Sequence, residues 1–328
     1  MAAPTIYRSS DASAPTLNGT AGSLIAVLDA CLVNGYGSQT ALGWGKPFSG
    51  TNQAVYRAAS GARHYLQILD DGTFVTSAAR NFNIRGYETM SAVTTGTNPF
   101  PSVTQAATPT GQKSSTLDSV ARPWLLVGDA LTFYMFISTT LTNPPSLSTY
   151  FATTSWGFGE IESFLTGDLY RTFVIFSTTD STTVAPAHGI GILVANNSAG
   201  LINLNMPRSY VGTGGSIWGV PVGNPFYAFP GSASIGTIQS YPNPVDGGFY
   251  ANALLVQERG TSSSGAASGF GIRGRMRGML QQLHQTNNFN DQELFSGSGD
   301  FAGRTFMVIK TSFSAGLAIE TTAWASSS

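Results

Sequence analysis

His64-Tyr-Leu-Gln-Ile-Leu-Asp-Asp-Gly-Thr-Phe-Val-Thr-Ser77 is the stretch from which the fold class is read. Tyr65 and Gln67 alternate with Leu66 and Ile68, and Phe74 alternates with Val75. A period of two places successive side chains on opposite faces of a strand. Between the arms, Asp70-Asp71-Gly72 ends in the Asp-Gly pair that favours a tight hairpin. The arms are expected to pair with each other.

The same grammar continues outward. Ala54–Ala58, Asn81–Tyr87, Thr132–Ile137, Arg171–Phe176, Gly189–Val194, Leu201–Leu204, Phe249–Val256, Gly269–Met276, Arg304–Lys310 and Leu317–Glu320 all read as strands. Gly, at 38 of 328 residues, exceeds the usual ~7%, as expected where many turns join short strands. One segment differs. From Thr20 to Val33, Leu24, Val27, Leu28, Cys31 and Leu32 fall at helical spacing, with Thr20 as N-cap and Asn34-Gly35 as the stop. The Thr/Ser/Pro/Gly-rich Thr94–Ser119 reads as an exposed loop or lobe junction. Met206–Asp246, dense in Gly and Pro but carrying several large aromatics, reads as ordered irregular loops. The expected class is mainly β with one N-terminal helix: antiparallel β-sandwich or barrel-like lobes with long Gly/Pro-rich loops. Residues 1–120 would hold the helix and the hairpin lobe, and 121–328 a β-rich lobe with long aromatic loops. The two could pack as one unit.

Charge is the second informative feature. Only 10% of residues are charged, with 16 Lys+Arg, 17 Asp+Glu and a net charge of −1. Ordinary domains carry about 25%. A surface so poor in ions lacks the repulsion that keeps free proteins apart and is expected to be covered by other subunits. The balance also argues against nucleic acid as the main partner, since phosphate binding needs a basic excess. The opening residues lack a basic-then-apolar signal pattern, and no apolar run reaches the ~18 residues of a span, Pro123–Ile137 being broken by Gly128 and Asp129. Synthesis in a cytoplasm without membrane insertion is expected. Cys31, the single cysteine, excludes an internal disulfide and reads as a small core residue.

Motifs that could carry chemistry are weak. Gly269, Gly271 and Gly274 match GxGxxG but lack the preceding strand and following helix of a dinucleotide site. His64, His188 and His284 have no ligand-type neighbours. Asp70-Asp71-Gly72 lacks the alternating acids of a calcium loop. No GxSxG elbow appears, and nothing calls for a cofactor or metal. Glu160 and Glu162 would share a strand face and could act as the carboxylate pair of a glycan-cleaving enzyme, but they read first as a polar edge. Arg273, Arg275 and Arg277 recur at every second position and would share one face, as interface charges, an anion contact or a solvated stripe, with Ile272, Met276 and Leu280 on the other. Trp218, Phe226 and Tyr227 are candidate apolar anchors in the aromatic loop.

Several stretches together carry a resemblance. They are Ile6-Tyr-Arg-Ser-Ser-Asp-Ala-Ser-Ala-Pro15, Gly22-Ser-Leu-Ile-Ala-Val-Leu-Asp-Ala-Cys-Leu-Val-Asn-Gly-Tyr-Gly37, Gly45-Lys-Pro-Phe-Ser-Gly-Thr-Asn52 and Ala54-Val-Tyr-Arg57. Arg85-Gly-Tyr-Glu-Thr-Met90, Arg122-Pro-Trp-Leu-Leu-Val-Gly-Asp129 and Gly157-Phe-Gly-Glu160 follow. Arg273-Gly-Arg-Met-Arg-Gly278 and Phe295-Ser-Gly-Ser-Gly-Asp-Phe-Ala-Gly-Arg-Thr-Phe306 complete the set. Taken together the chain resembles a family of tailed-bacteriophage virion structural proteins, tail- or neck-associated. The resemblance implies a non-enzymatic subunit of the virion, present in several copies and contacting itself and other virion proteins. A receptor-binding or capsid decoration module, with a host-surface glycan as partner, is the alternative; a glycan depolymerase ranks third.

Overall fold

The computed structural model describes residues 2–76, 78–140, 153–176, 204–212, 217–222, 242–258, 271–282, 289–310 and 316–325. The chain is mainly β, its sheets antiparallel and arranged as a sandwich, with one α-helical segment and a short 3-10 turn (Gly299–Phe301) among the described residues. That segment is α1 (Ser23–Leu28), continued by a π-helical turn over Asp29–Asn34. Gly35 ends it where the Asn-Gly pair predicts, at a positive φ of 78°, but its ψ of 170° is extended and not the left-handed helical value. Its start differs. Gly22 occupies the N-cap with no side-chain cap, and the Thr20 hydroxyl donates to Asn18 instead. The free Leu24 N–H is taken by Asp70, 2.9 Å away, from a distant turn.

Strands β1 (Thr5–Arg8), β2 (Gly45–Gly50), β3 (Gln53–Arg57), β4 (Tyr65–Leu69), β5 (Val75–Thr76), β6 (Ala79–Ala92), β7 (Thr95–Phe100) and β8 (Thr110–Ser114) make up the first part. All but β1 form a seven-stranded sheet in which β6 pairs with β4, β5, β7 and β8. The two arms of the opening stretch do not pair with each other. The partners of β4 are β3 and β6, while β5 forms a hairpin with β6, Val75 opposite Arg80. Asp70 explains the difference. It is completely buried, ion-paired to Lys113 and turned onto the start of α1, so the turn serves the helix and not a hairpin. The expected loop Thr94–Ser119 contains β7 and β8, and every residue of β8 is buried although its sequence, TGQKS, is wholly polar or Gly.

The second sheet has thirteen strands: β1 with β9 (Trp124–Gly128), β10 (Thr132–Ser138), β11 (Thr153–Glu160), β12 (Glu162–Ser163), β13 (Thr172–Ile175), β14 (Leu204–Met206), β15 (Ile217–Val222), β16 (Ala251–Glu258), β17 (Ile272–Gln282), β18 (Leu294–Ser296), β19 (Thr305–Lys310) and β20 (Gly316–Glu320). It curls on itself. Strand β12, one residue after β11, pairs with β17 from across the sheet. At the far ends Ala2 bridges Trp324, and Arg8 Nε donates to Gln292 Oε1 at 3.2 Å.

Strands β9–β13 form the middle layer, and a period of two sorts their side chains. Trp124, Leu126, Phe133, Met135, Ile137, Val174 and Phe176 face a core shared with α1 and the seven-stranded sheet. Leu125, Val127, Tyr134, Phe136, Phe173 and Ile175 face a second core inside the curled sheet, against Val256, Met276, Met279 and Ile319. Strands covered on both sides read as continuous apolar runs, which is why Pro123–Ile137 resembles a weak membrane span. Among the described residues no helix is long and apolar enough to cross a membrane. The first core draws on residues from both halves of the chain, and β1 pairs with β9.

Candidate functional site

The site is built around β17, because the Arg273–Arg277 series lies on it. In a regular strand the three would share a face. Here two register irregularities against β16 break the alternation: one between the pairs Gln257/Ile272 and Val256/Gly274, the other between Leu255/Arg275 and Ala253/Leu280. The first leaves Arg273 as the extra, bulged residue; the second spans Met276–Met279 and includes Gly278 at φ 63°. Bulges re-aim side chains. The single basic face is therefore corrected: Arg273 and Arg277 are buried and only Arg275 reaches the surface.

Arg273 grips Asp168 with two nitrogens, Nε to Oδ2 at 2.8 Å and Nη2 to Oδ1 at 2.7 Å. Its Nη1 donates to Arg208 O at 2.7 Å and lies 3.4 Å from Glu258 Oε1. Burial alone would push Asp168 up; the Arg273 hydrogen bonds and charge outweigh it and hold the carboxyl below its ordinary value. Burial wins at Glu258, which is raised despite Arg273. Arg277 makes the same two-pronged pair with Asp129, at 2.9 and 2.6 Å, and donates to Ala325 O. These pairs bind strand to loop within the chain. Arg275 pairs with its cross-strand neighbour Glu162 at 2.8 and 2.6 Å, its side chain 45% exposed.

Beside Arg275 a cleft of about 580 Å³ opens over Met276, Met279, Leu280 and Phe301. Its rim holds Glu162–Arg275 and a second pair, Arg304–Glu320, with Arg304 also lying 5.2 Å from the Phe301 ring centroid. Chemically this is an apolar floor between two neutralised, planar, hydrogen-bonding groups.

The other candidates separate. Trp218 lies on β15, opposite Asn205. Phe226 and Tyr227 lie outside the described residues, as do His188 and His284. Glu160 is buried, bound by Arg171 Nε and the Ala62 N–H, while Glu162 belongs to Arg275. Each carboxylate has its own arginine, Glu160 in the interior and Glu162 at the surface. His64 is a core histidine with Nδ1 2.7 Å from Thr172 Oγ1; burial lowers its pKa to about 4. Cys31 is buried, and its thiol is pushed up by burial.

Sequence reasoning missed a group of exposed apolar residues around the Arg273 pair. Phe164, Leu165, Leu169, Tyr210, Val211 and Ile272 are 43–67% exposed. Phe164 N–H donates to Arg273 O at 2.8 Å, Tyr210 N–H donates to Glu258 at 2.9 Å, and Leu169 follows Asp168 directly. Adjacent Phe164-Leu165 and the nearby Leu169, on a segment that also carries Gly and Asp, was the available signal; large apolar groups in such a turn have no core to serve. No protein-family model matches the sequence, and no curated protein matches it.

Proposed function

We propose that this chain is a non-enzymatic structural subunit of a tailed-phage virion, tail- or neck-associated, which assembles with copies of itself and with other virion proteins. The observation that carries this reading is where the charges go. Among the described residues, nine basic and ten acidic side chains, out of the 16 and 17 in the sequence, are partners in ion pairs within the chain. Several of these pairs, including Lys113–Asp70, Arg273–Asp168 and Arg277–Asp129, are almost wholly buried. An already sparse set of ions thus leaves still less charge for the surface. A surface of this kind approaches its own copies without like-charge cost and suits large, permanent interfaces. The resemblance of the quoted sequence motifs to tailed-phage virion proteins points the same way.

A second reading, a receptor-binding or capsid decoration module, draws on the cleft. Phe301 beside two Arg–Glu pairs offers an aromatic face and fixed donors and acceptors, a combination suited to a host glycan. Immunogold labelling of intact particles with an antibody to the purified chain tests the leading reading: label on particles is expected, and purified particles free of the chain would sink it. A glycan array tests the second, since a subunit without a receptor role gives no hits.

A further inference from the structure

We infer that the apolar end surface formed by Phe164, Leu165, Leu169, Tyr210, Val211 and Ile272 is the face through which one copy of this chain docks on another. The inference rests on the assembly reading above and assigns it a surface. The six residues come from three separate segments brought together by one buried hub. Loop residues 164–169 hang on Asp168, which Arg273 holds from two nitrogens. Within the loop, Ser163 Oγ donates to Asp168 Oδ2 at 2.8 Å, Leu165 N–H donates to Ser163 Oγ at 3.2 Å, and Tyr170 N–H donates to Asp168 Oδ1 at 3.0 Å. Tyr210 is tied to Glu258, which faces the same guanidinium, and Arg208 O accepts from Arg273. Ile272 precedes Arg273 in the bulge. The apolar groups are therefore displayed on a braced frame, which lowers the ordering cost of docking.

Two observations select a second copy as the occupant. The first is charge. A face that meets itself sets each exposed ion near its own like, so a self-docking surface needs its charges cancelled. Among the described residues the ions nearest this one are paired: Arg273 with Asp168 and Glu258, Arg275 with Glu162, and Arg208 with Glu88. Among the described residues a basic or acidic partner finds no unpaired ion here to complement. The second is area. A large side chain offers on the order of 150–200 Å² when free, so six at 43–67% exposure present on the order of 600 Å². That is at the top of the range for an ordinary monomer's largest patch and close to the ~800 Å² per partner of a stable interface.

The test uses the full chain. Sedimentation velocity across low to high micromolar concentrations is run on wild type, on Phe164→Ser/Leu169→Ser, and on Leu117→Ser, an exposed apolar residue elsewhere (62%). The expected result is self-association of wild type and of Leu117→Ser, weakened at least about tenfold in the double variant with its melting temperature unchanged. A double variant that assembles as tightly as wild type overturns this docking face and leaves the subunit reading standing. A wild-type chain that is monomeric throughout, yet present in purified particles, assigns the face to another virion protein and also overturns the inference. A wild-type chain both monomeric and absent from particles overturns the subunit reading as well.

Discussion

Arg275 and Arg277 sit two positions apart and make the same two-pronged contact with a carboxylate, yet their energetic roles differ because one pair is wet and the other dry. Removing one member of a buried pair strands the other charge, at about 3–5 kcal/mol. An exposed pair contributes about 0–1 kcal/mol. Arg277→Gln is therefore expected to lower unfolding free energy by several kcal/mol in urea titrations, and Arg275→Gln to be nearly silent. Equal losses would contradict the burial assignment. His64 supplies a pH dependence. Burial is the main force holding its pKa down to about 4, with Glu88 and Glu160 pulling it up and Arg57 and Arg208 adding to the depression. The folded state thus prefers the neutral ring. Its contribution is complete above the ordinary pKa of 6.5 and is lost as pH falls from there to about 4, on the order of 3 kcal/mol. Comparing melting temperatures of wild type and His64→Gln over that window isolates it: the variant should show the shallower acid slope, and parallel curves would remove the assignment.

At the level of elements, the junction of Asp70, Lys113 and α1 ties the seven-stranded sheet to the helix. Burial raises the Asp70 pKa to about 6, opposed by the charge and hydrogen bonds of Lys113 and the N–H groups at the helix start. Asp70→Ala leaves a buried ammonium and an uncapped N–H and is expected to cost about 3–5 kcal/mol. The double change Asp70→Ala/Lys113→Met should recover part of that loss, a coupling that a urea-based double-mutant cycle measures. Gly278 marks the second bulge of β17. Its φ of 63° and its contact with the Trp324 indole leave no room for a Cβ. Gly278→Ala should cost at least about 1–3 kcal/mol, read as a drop in melting temperature. The strands themselves were legible in the sequence: β3, β4, β10, β13, β16, β19 and β20 fall within a few residues of their expected ranges. Their partners were not. The Asp-Gly turn advertised a β4–β5 hairpin, but Asp70 is more strongly engaged by the helix terminus and by Lys113. Polar β8 looked like a loop because its burial depends on β6 and on Asp70, both distant in sequence.

For the whole molecule, the central layer β9–β13 takes a sheet on one face and the curled remainder of its own sheet on the other. The ions are drawn inward to fasten loops to strands. An assembly of such units should hold together through apolar contact, so added salt has little to screen. Sedimentation of wild type at low ionic strength and near 1 M NaCl should give the same or tighter association. Dissociation by salt would point to ionic contacts between copies instead.

Strand periodicity, glycine-punctuated turns, the lone helix and the scarcity of charge are properties of adjacent residues and of composition, and the sequence by itself determined them: an antiparallel β protein with little ionic surface. Which strands pair and which apolar groups are left outside are set by tertiary partners, and the two buried arginines of β17 depend on carboxylates 15 to 148 positions away. Two bulges in β17 sufficed to turn an apparent basic stripe into two internal clamps and one surface pair. Only the tertiary structure decided that, because a bulge is set by the mismatch between two strands and is written in neither strand alone.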